Sequence, residues 1–197
     1  MSNSLDAAYW TNRYLEKNTS WDVGAVTLPI KQYLDQILPN PTLRILIPGA
    51  GNAYEAKYAF ESGFKQVCVL DFSPVPLQKF LHNCPDFPSN RVLVEDFFQH
   101  QGEYDLILEQ TFFCAIEPNL RPKYAEKMYE LLAPEGKLVG VMFSRNFDRQ
   151  GPPFGGTKEE YLHYFKPFFG EIYMESCYNS IPPRMGSELF ISMKKSR

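Results

Sequence analysis

No apolar run in the sequence approaches the roughly 20 residues needed to span a bilayer, and the first residues, Met1 to Tyr14, lack the apolar stretch of a secretory leader. Cysteine is sparse: Cys68, Cys84, Cys114 and Cys177 stand far apart, and none has the paired spacing of a zinc site or a redox motif. The three histidines, His82, His100 and His163, fall singly on predicted helices or loops. These absences predict a cytoplasmic chain with reduced thiols and no metal. Positive charge is not in excess either: 20 basic against 23 acidic residues give a net charge of -3. Without a basic field to follow a phosphate backbone, nucleic acid and membrane are not expected partners. Repeats, low-complexity tracts and long linkers are also missing.

What is present fits one domain over residues 1–197, long enough to bury a substantial core. Aromatic residues make up 15%, and three of them, Trp10, Tyr14 and Trp21, lie in an N-terminal segment too polar to be ordinary core. Residues 1–28 are therefore a candidate lid arm. A helix follows over 29–38, with Ile30, Tyr33, Leu34, Ile37 and Leu38 at helical spacing, stopped by Pro39-Asn40-Pro41.

From there strands and helices alternate. Strands are predicted over 43–48, 66–72, 91–95, 104–109 and 137–143. The intervening helices begin at Asn52, with Glu55 as a capping partner and Gly63 as terminator, at Ser73-Pro74, and at Asn119, the last with Leu120, Tyr124, Met128 and Leu131 on one face. A further helix is expected over 157–165. The end breaks the rhythm: strands over 171–178 and 188–193 are joined by a loop with Pro182, Pro183 and Gly186 and no helix, so they should be antiparallel. The expected fold is α/β, a Rossmann-like three-layer α/β/α sandwich whose seven-stranded, mostly parallel sheet ends in an antiparallel hairpin.

Gly49 and Gly51 let the backbone turn tightly after the first strand and approach a ligand at the positively polarised start of a helix. Alone they specify little more than a turn. The third glycine of the nucleotide fingerprint is missing after Asn52-Ala53, which suits a dinucleotide pyrophosphate poorly. Asp71, followed by Phe72, ends the second strand twenty residues after Gly51, where a carboxylate can accept from both ribose hydroxyls. Asp96-Phe97, past the third strand, offers an acceptor and a ring for adenine. Together they trace an adenosine across the strand ends. Trp10, Tyr14 and Trp21 add rings suited to a neighbouring cation, each worth on the order of 0.5 to 2 kcal/mol. An adenosine beside a sulfonium is what S-adenosylmethionine (SAM) presents, with S-adenosylhomocysteine (SAH) as product.

The arm Trp10-x-x-x-Tyr14 with Trp21-Asp22-x-Gly24, the loop Pro48-Gly49-Ala50-Gly51, the run from Glu109 to Pro118 and Gly151-Pro152-Pro153-Phe154 resemble the thiopurine S-methyltransferase superfamily, nearest in look to its thiol and halide methyltransferase branch. The resemblance implies that Trp10, Tyr14, Trp21, Gly49, Asp71, Asp96, Phe97 and Gln110 contact SAM, with Glu109 beside them. It also implies that Phe113, Pro152, Pro153 and Phe154 cover the acceptor. Tyr14 stands where tryptophan is usual, and Gln110 where thiopurine enzymes carry arginine and halide enzymes tyrosine.

Methyl transfer is an in-line displacement, so the protein must align the reactants and exclude water. A small thiol attacks as thiolate, and positive groups raise its ionised fraction. Arg121 and Arg184 are the candidates for that charge, with Tyr124 or Glu117 as a proton relay. Arg121 falls in the first turn of a helix, where the dipole disfavours a cation by roughly 0.3 to 1 kcal/mol, and Glu117 is its expected partner. The expected activity is S-methylation of a small thiol or other soft anion by a monomer. Thiopurine, halide, selenium or tellurium methylation, and a SAM-binding regulator without catalysis, are the alternatives.

Overall fold

In the computed structural model, which describes residues 5–37 and 40–196, the arm contributes α1 (Ala7–Leu15), started by Asp6, whose carboxylate accepts the Tyr9 N–H at 2.9 Å. Next comes α2 (Leu28–Gln36), with Pro29 in its first turn and Ile37 at its end. The predicted stop at Pro39, and Leu38 before it, lie outside the described residues, as do residues 1–4 of the arm.

Then follow β1 (Arg44–Pro48), α3 (Tyr54–Glu61), β2 (Gln66–Asp71), α4 (Pro74–Asn83), β3 (Val92–Val94) and β4 (Tyr104–Gln110). The chain finishes with α5 (Arg121–Leu131), β5 (Leu132–Phe143), α6 (Lys158–Phe165), β6 (Glu171–Ser176) and β7 (Glu188–Lys194). The seven strands form one sheet in the order β3-β2-β1-β4-β5-β7-β6. The first five are parallel, and β7 enters antiparallel between β5 and β6. This is the expected three-layer architecture.

Strand alternation decides which side each residue serves. Ile45, Ile47, Leu106 and Leu108 face α2, α3 and α4, where Ile30, Leu34, Ala56, Leu77 and Phe80 complete one core. Leu46, Ile107 and Leu138 face α5 and α6, packing on Tyr124, Met128, Tyr161 and Phe165. Both faces are covered, as a parallel sheet requires. No helix among the described residues is long and apolar enough to cross a membrane.

Three local expectations are corrected. Asn52 does not cap α3: the cap position is Ala53, in a left-handed conformation, and the Asn52 amide donates to Asp22 instead. Leu120 belongs to a 3-10 turn, Pro118–Leu120, and is 37% exposed, so the buried face of α5 begins at Arg121 and Tyr124. The last pair of strands is shorter at Ser176, and Tyr178 points into solvent at 81% exposure.

The strand order reverses between β1 and β4: the chain runs outward to β2 and β3 on one side and to β5 on the other. Ligands bind open α/β sheets at such a point, beyond the carboxyl ends of the strands. The loop after β1 holds the glycines, and the turn after β4 holds Thr111 to Ala115.

Candidate active site

Three alternate residues after β1 take left-handed backbone conformations: Gly49 (φ +59°), Gly51 (φ +53°) and Ala53 (φ +53°). A Cβ on Gly49 would enter the Phe112 ring, and one on Gly51 would lie 2.7 Å from the Tyr14 hydroxyl. Ala53, at the cap of α3, takes the same left-handed shape without being glycine, at a cost of roughly 1 to 2 kcal/mol. The bare loop is thus a cradle between two aromatic side chains, one from the β4 turn and one from the arm.

Asp71, at the end of β2, is 8% exposed and ties two turns together. Oδ2 accepts the Gly51 N–H and Oδ1 accepts the Ser73 N–H, both at 2.8 Å. Burial raises its pKa, while the two N–H bonds pull the other way. Ser73 caps α4, and its Oγ also accepts the hydroxyl of Thr11 at 3.0 Å, which brings the arm to the same edge. Phe72 is half-buried there.

The three arm rings meet. Trp21 packs edge-on against Trp10 (centroids 5.5 Å apart) and Tyr14 (5.8 Å), and Arg13 lies 5.0 Å over the Trp21 ring. Burial, then the charge of Asp71, raises the Tyr14 pKa, so its hydroxyl stays neutral over the glycine loop. Asp22 binds the arm down through Asn52 and turns it by accepting the Gly24 N–H at 2.8 Å.

Asp96 is half-buried and accepts the Phe98 N–H at 2.8 Å. Phe97 is not an open ring for adenine: it is 2% exposed and packs edge-on against Phe98 and Phe112. Its place is behind Phe112, whose ring faces Gly49.

The turn after β4 is anchored from below. Glu109, fully buried, accepts the N–H groups of Phe112 (2.7 Å) and Phe113 (3.0 Å) on one oxygen and the Tyr124 hydroxyl on the other. Burial pushes the Glu109 carboxyl up to about 7. Thr111 sits at φ +59°, a strained position for a β-branched residue. These contacts correct three expectations. Glu109 positions the turn instead of facing a ligand, Tyr124 is its buried partner instead of a proton relay, and Phe113 is core, 1% exposed between Tyr124, Tyr161 and Phe165.

Arg121 is also a structural group. It is 1% exposed, lies 4.6 Å over the Phe113 ring, pairs with Glu160 at 3.2 Å and donates to the Phe154 carbonyl at 3.1 Å. Its partner is Glu160, not Glu117, because the helix start faces α6. Phe154 in turn donates its N–H to the Cys114 carbonyl at 2.7 Å, which ties the end of the Pro152-Pro153-Phe154 segment to the β4 turn.

On the opposite wall Gln110 accepts the Thr27 hydroxyl at 2.7 Å, and Arg184, 7% exposed, donates to the Trp21 carbonyl at 2.8 Å. Arg184 Nη1 is buried without a hydrogen-bond partner, 3.5 Å from Glu188. The Arg184 charge reaches Cys114 and buried Glu55. Burial pushes the Cys114 thiol up to about 12, and it donates to the Thr111 carbonyl at 3.3 Å. Kept as a thiol, it does not compete as a nucleophile.

Sequence reasoning missed Phe112, Thr11 and Thr27, and read Glu55, which accepts the Thr27 N–H, only as a helix cap. Phe112 stands inside the motif that carried the resemblance, but only the topology puts its ring on Gly49. The other three are ordinary residue types paired across 28 to 83 positions.

The thiopurine S-methyltransferase (TPMT) family profile matches residues 5–185. A probable thiol methyltransferase 2 of Arabidopsis thaliana is 33% identical over 193 residues, covering 95% of this chain and 84% of the relative. The thiocyanate methyltransferase 1 of the same plant is 31% identical, covering 99% and 88%. Among solved structures, the 1,6-didemethyltoxoflavin-N1-methyltransferase of Burkholderia thailandensis, with its substrate and SAH bound, superposes with a TM-score of 0.76 at 17% identity over 97% of this chain and 87% of that one.

Proposed function

We propose, from the premise that this chain belongs to the thiopurine S-methyltransferase family and is a SAM-dependent methyltransferase that methylates sulfur, that its acceptor is a small, soft anion such as a thiolate, hydrosulfide or thiocyanate. The observation that carries this reading is the buried Arg184 guanidinium, whose Nη2 donates to the Trp21 carbonyl while Nη1 lacks a hydrogen bond, 3.5 Å from Glu188. A buried cation with a spare donor suits a compact anion.

The residues present fit the cofactor. Gly49 and Gly51 let Phe112 and Tyr14 close on the loop where a Cβ would clash, and Asp71 keeps acceptor capacity beyond its two N–H bonds. When bound, SAM supplies an activated methyl group on a sulfonium. Asp71 with Phe72 and Asp96 would hold its adenosine, the glycine loop and Gln110 its amino-acid portion, and Trp10, Tyr14 and Trp21 would cover the cation and exclude water. Arg184 would hold the acceptor ionised. Pro152, Pro153 and Phe154 would close the acceptor side.

We read residues 1–197 as a single domain with residues 1–28 as its lid, working as a monomer in the cytoplasm on small molecules and not on nucleic acid. The net charge of -3 supports the last point. The test is incubation of the purified protein and SAM with hydrosulfide, thiocyanate, iodide, a small alkyl thiol and a thiopurine, with headspace detection of volatile products and direct detection of the methylated thiopurine. Turnover of the small anions is expected. Turnover of the thiopurine alone would overturn the acceptor assignment.

A further inference from the structure

Arg184 serves two sites with one side chain. Its Nη2 donates to the backbone carbonyl of Trp21 at 2.8 Å, across 163 residues of chain. Trp21 is the ring on which Trp10, Tyr14 and Arg13 all converge. Behind the guanidinium, the Phe143 ring lies 5.6 Å away, and Glu188 stands 3.5 Å from Nη1. The side chain is thereby fixed at the inner wall with one nitrogen committed to the arm and another buried without a hydrogen bond.

We propose that Arg184 is the latch of the cofactor lid as well as the acceptor's cation, so that closure of the arm over SAM and entry of the acceptor anion strengthen each other. The Trp21 carbonyl and an anion at Nη1 would order the same planar group, and whichever binds first restricts it for the other. Lysine cannot replace it, because a single ammonium has no fixed fork with which to reach both partners. Linkage makes the effect reciprocal.

The second half of the inference rests on the acceptor reading above; the first half does not. Calorimetry of SAH binding without any acceptor isolates the latch. Arg184→Lys and Arg184→Met are each expected to weaken SAH about tenfold or more while circular dichroism stays native. Wild-type protein should also bind SAH several-fold tighter with sodium thiocyanate than with sodium fluoride at the same ionic strength, and both variants should lose that difference. SAH affinity within twofold of wild type in a folded variant would overturn the latch, even if methyl transfer disappeared. An intact latch in a protein that methylates no anion would leave the first half standing and defeat the acceptor assignment, and with it the second half. Should Arg184→Met fail to fold, Arg184→Lys, which keeps the charge beside Glu188, carries the test.

Discussion

Glu109 and Tyr124 face each other across β4 and α5 with no exposed surface on either, and the carboxylate that receives the tyrosine hydroxyl also holds the turn bearing Phe112. Burial pushes Glu109 up to about 7 from its ordinary 4.5, so the folded chain holds that proton more tightly than the unfolded one. The stability this contributes is complete below about pH 4.5 and lost as pH rises through about 7, on the order of 3 kcal/mol in all. Glu109→Gln keeps an acceptor for the two N–H groups and a donor toward Tyr124. Its thermal midpoint should therefore change less between pH 5 and pH 8 than that of wild type; parallel pH profiles would show that another group titrates.

The glycine loop gives a second, steric prediction. Gly51→Ala places a methyl 2.7 Å from the Tyr14 hydroxyl at a left-handed backbone position. The obstacle is the far end of a tyrosine side chain, so the fold should survive with a loss of about 1 to 2 kcal/mol, while SAH affinity falls at least about tenfold. Gly49→Ala should be worse, because its obstacle, Phe112, is fixed by Glu109. Equal SAH affinities for Gly51→Ala and wild type would separate the loop from cofactor binding.

The fold was legible because its signals are local. The short apolar strands, Ser73-Pro74 at the start of α4 and Gly63 after α3 are each decided by neighbouring residues, and the structure places them close to where the spacing predicts, except that β5 already begins at Leu132 instead of at Lys137. Asp71 and the three arm rings stood out by residue type, and the structure puts Asp71 on the Gly51 N–H and packs the rings against one another. Arg121, Tyr124, Phe113 and Glu109 were misread because a charged or aromatic residue near a motif looks alike whether it faces the cleft or the core. Only the packing of α5 on β4 and α6 tells them apart. Asn52 failed as a cap because Asp22, thirty positions away, competes for its amide.

Arg121 offers a direct test of that correction. Arg121→Met removes the bond to the Phe154 carbonyl and the cation over Phe113, leaving a half-buried Glu160 that water can still reach. A loss of about 2 to 4 kcal/mol is expected in urea unfolding. Glu117→Ala, at the residue first expected to pair with Arg121, should stay within about 0.5 kcal/mol of wild type. The reverse order would restore Glu117 as the partner.

Asp71 is the residue in which folding and binding are hardest to separate, and Asp71→Asn separates them. The carboxylate accepts N–H groups from both sides, Gly51 on one oxygen and Ser73 on the other, so it needs two acceptor atoms even before a ribose arrives. Asparagine supplies one. Its amide nitrogen must then face either the Gly51 or the Ser73 N–H, donor against donor, and the site is too buried for water to mediate freely. Turning the amide toward Gly51 would release the glycine loop, while turning it toward Ser73 would loosen the start of α4; the unfolding cost in either case should be about 1 to 3 kcal/mol. Because burial raises the Asp71 pKa, the variant also removes a group whose folded form favours a proton, which offsets part of that cost above the ordinary aspartate range. The loss of SAH affinity should have no such offset, since the ribose hydroxyls would meet one acceptor oxygen where aspartate offers two. Calorimetry should show at least about a hundredfold weaker SAH binding in a protein still folded at 25 °C. Affinity falling only in proportion to stability would mean that Asp71 merely shapes the loop.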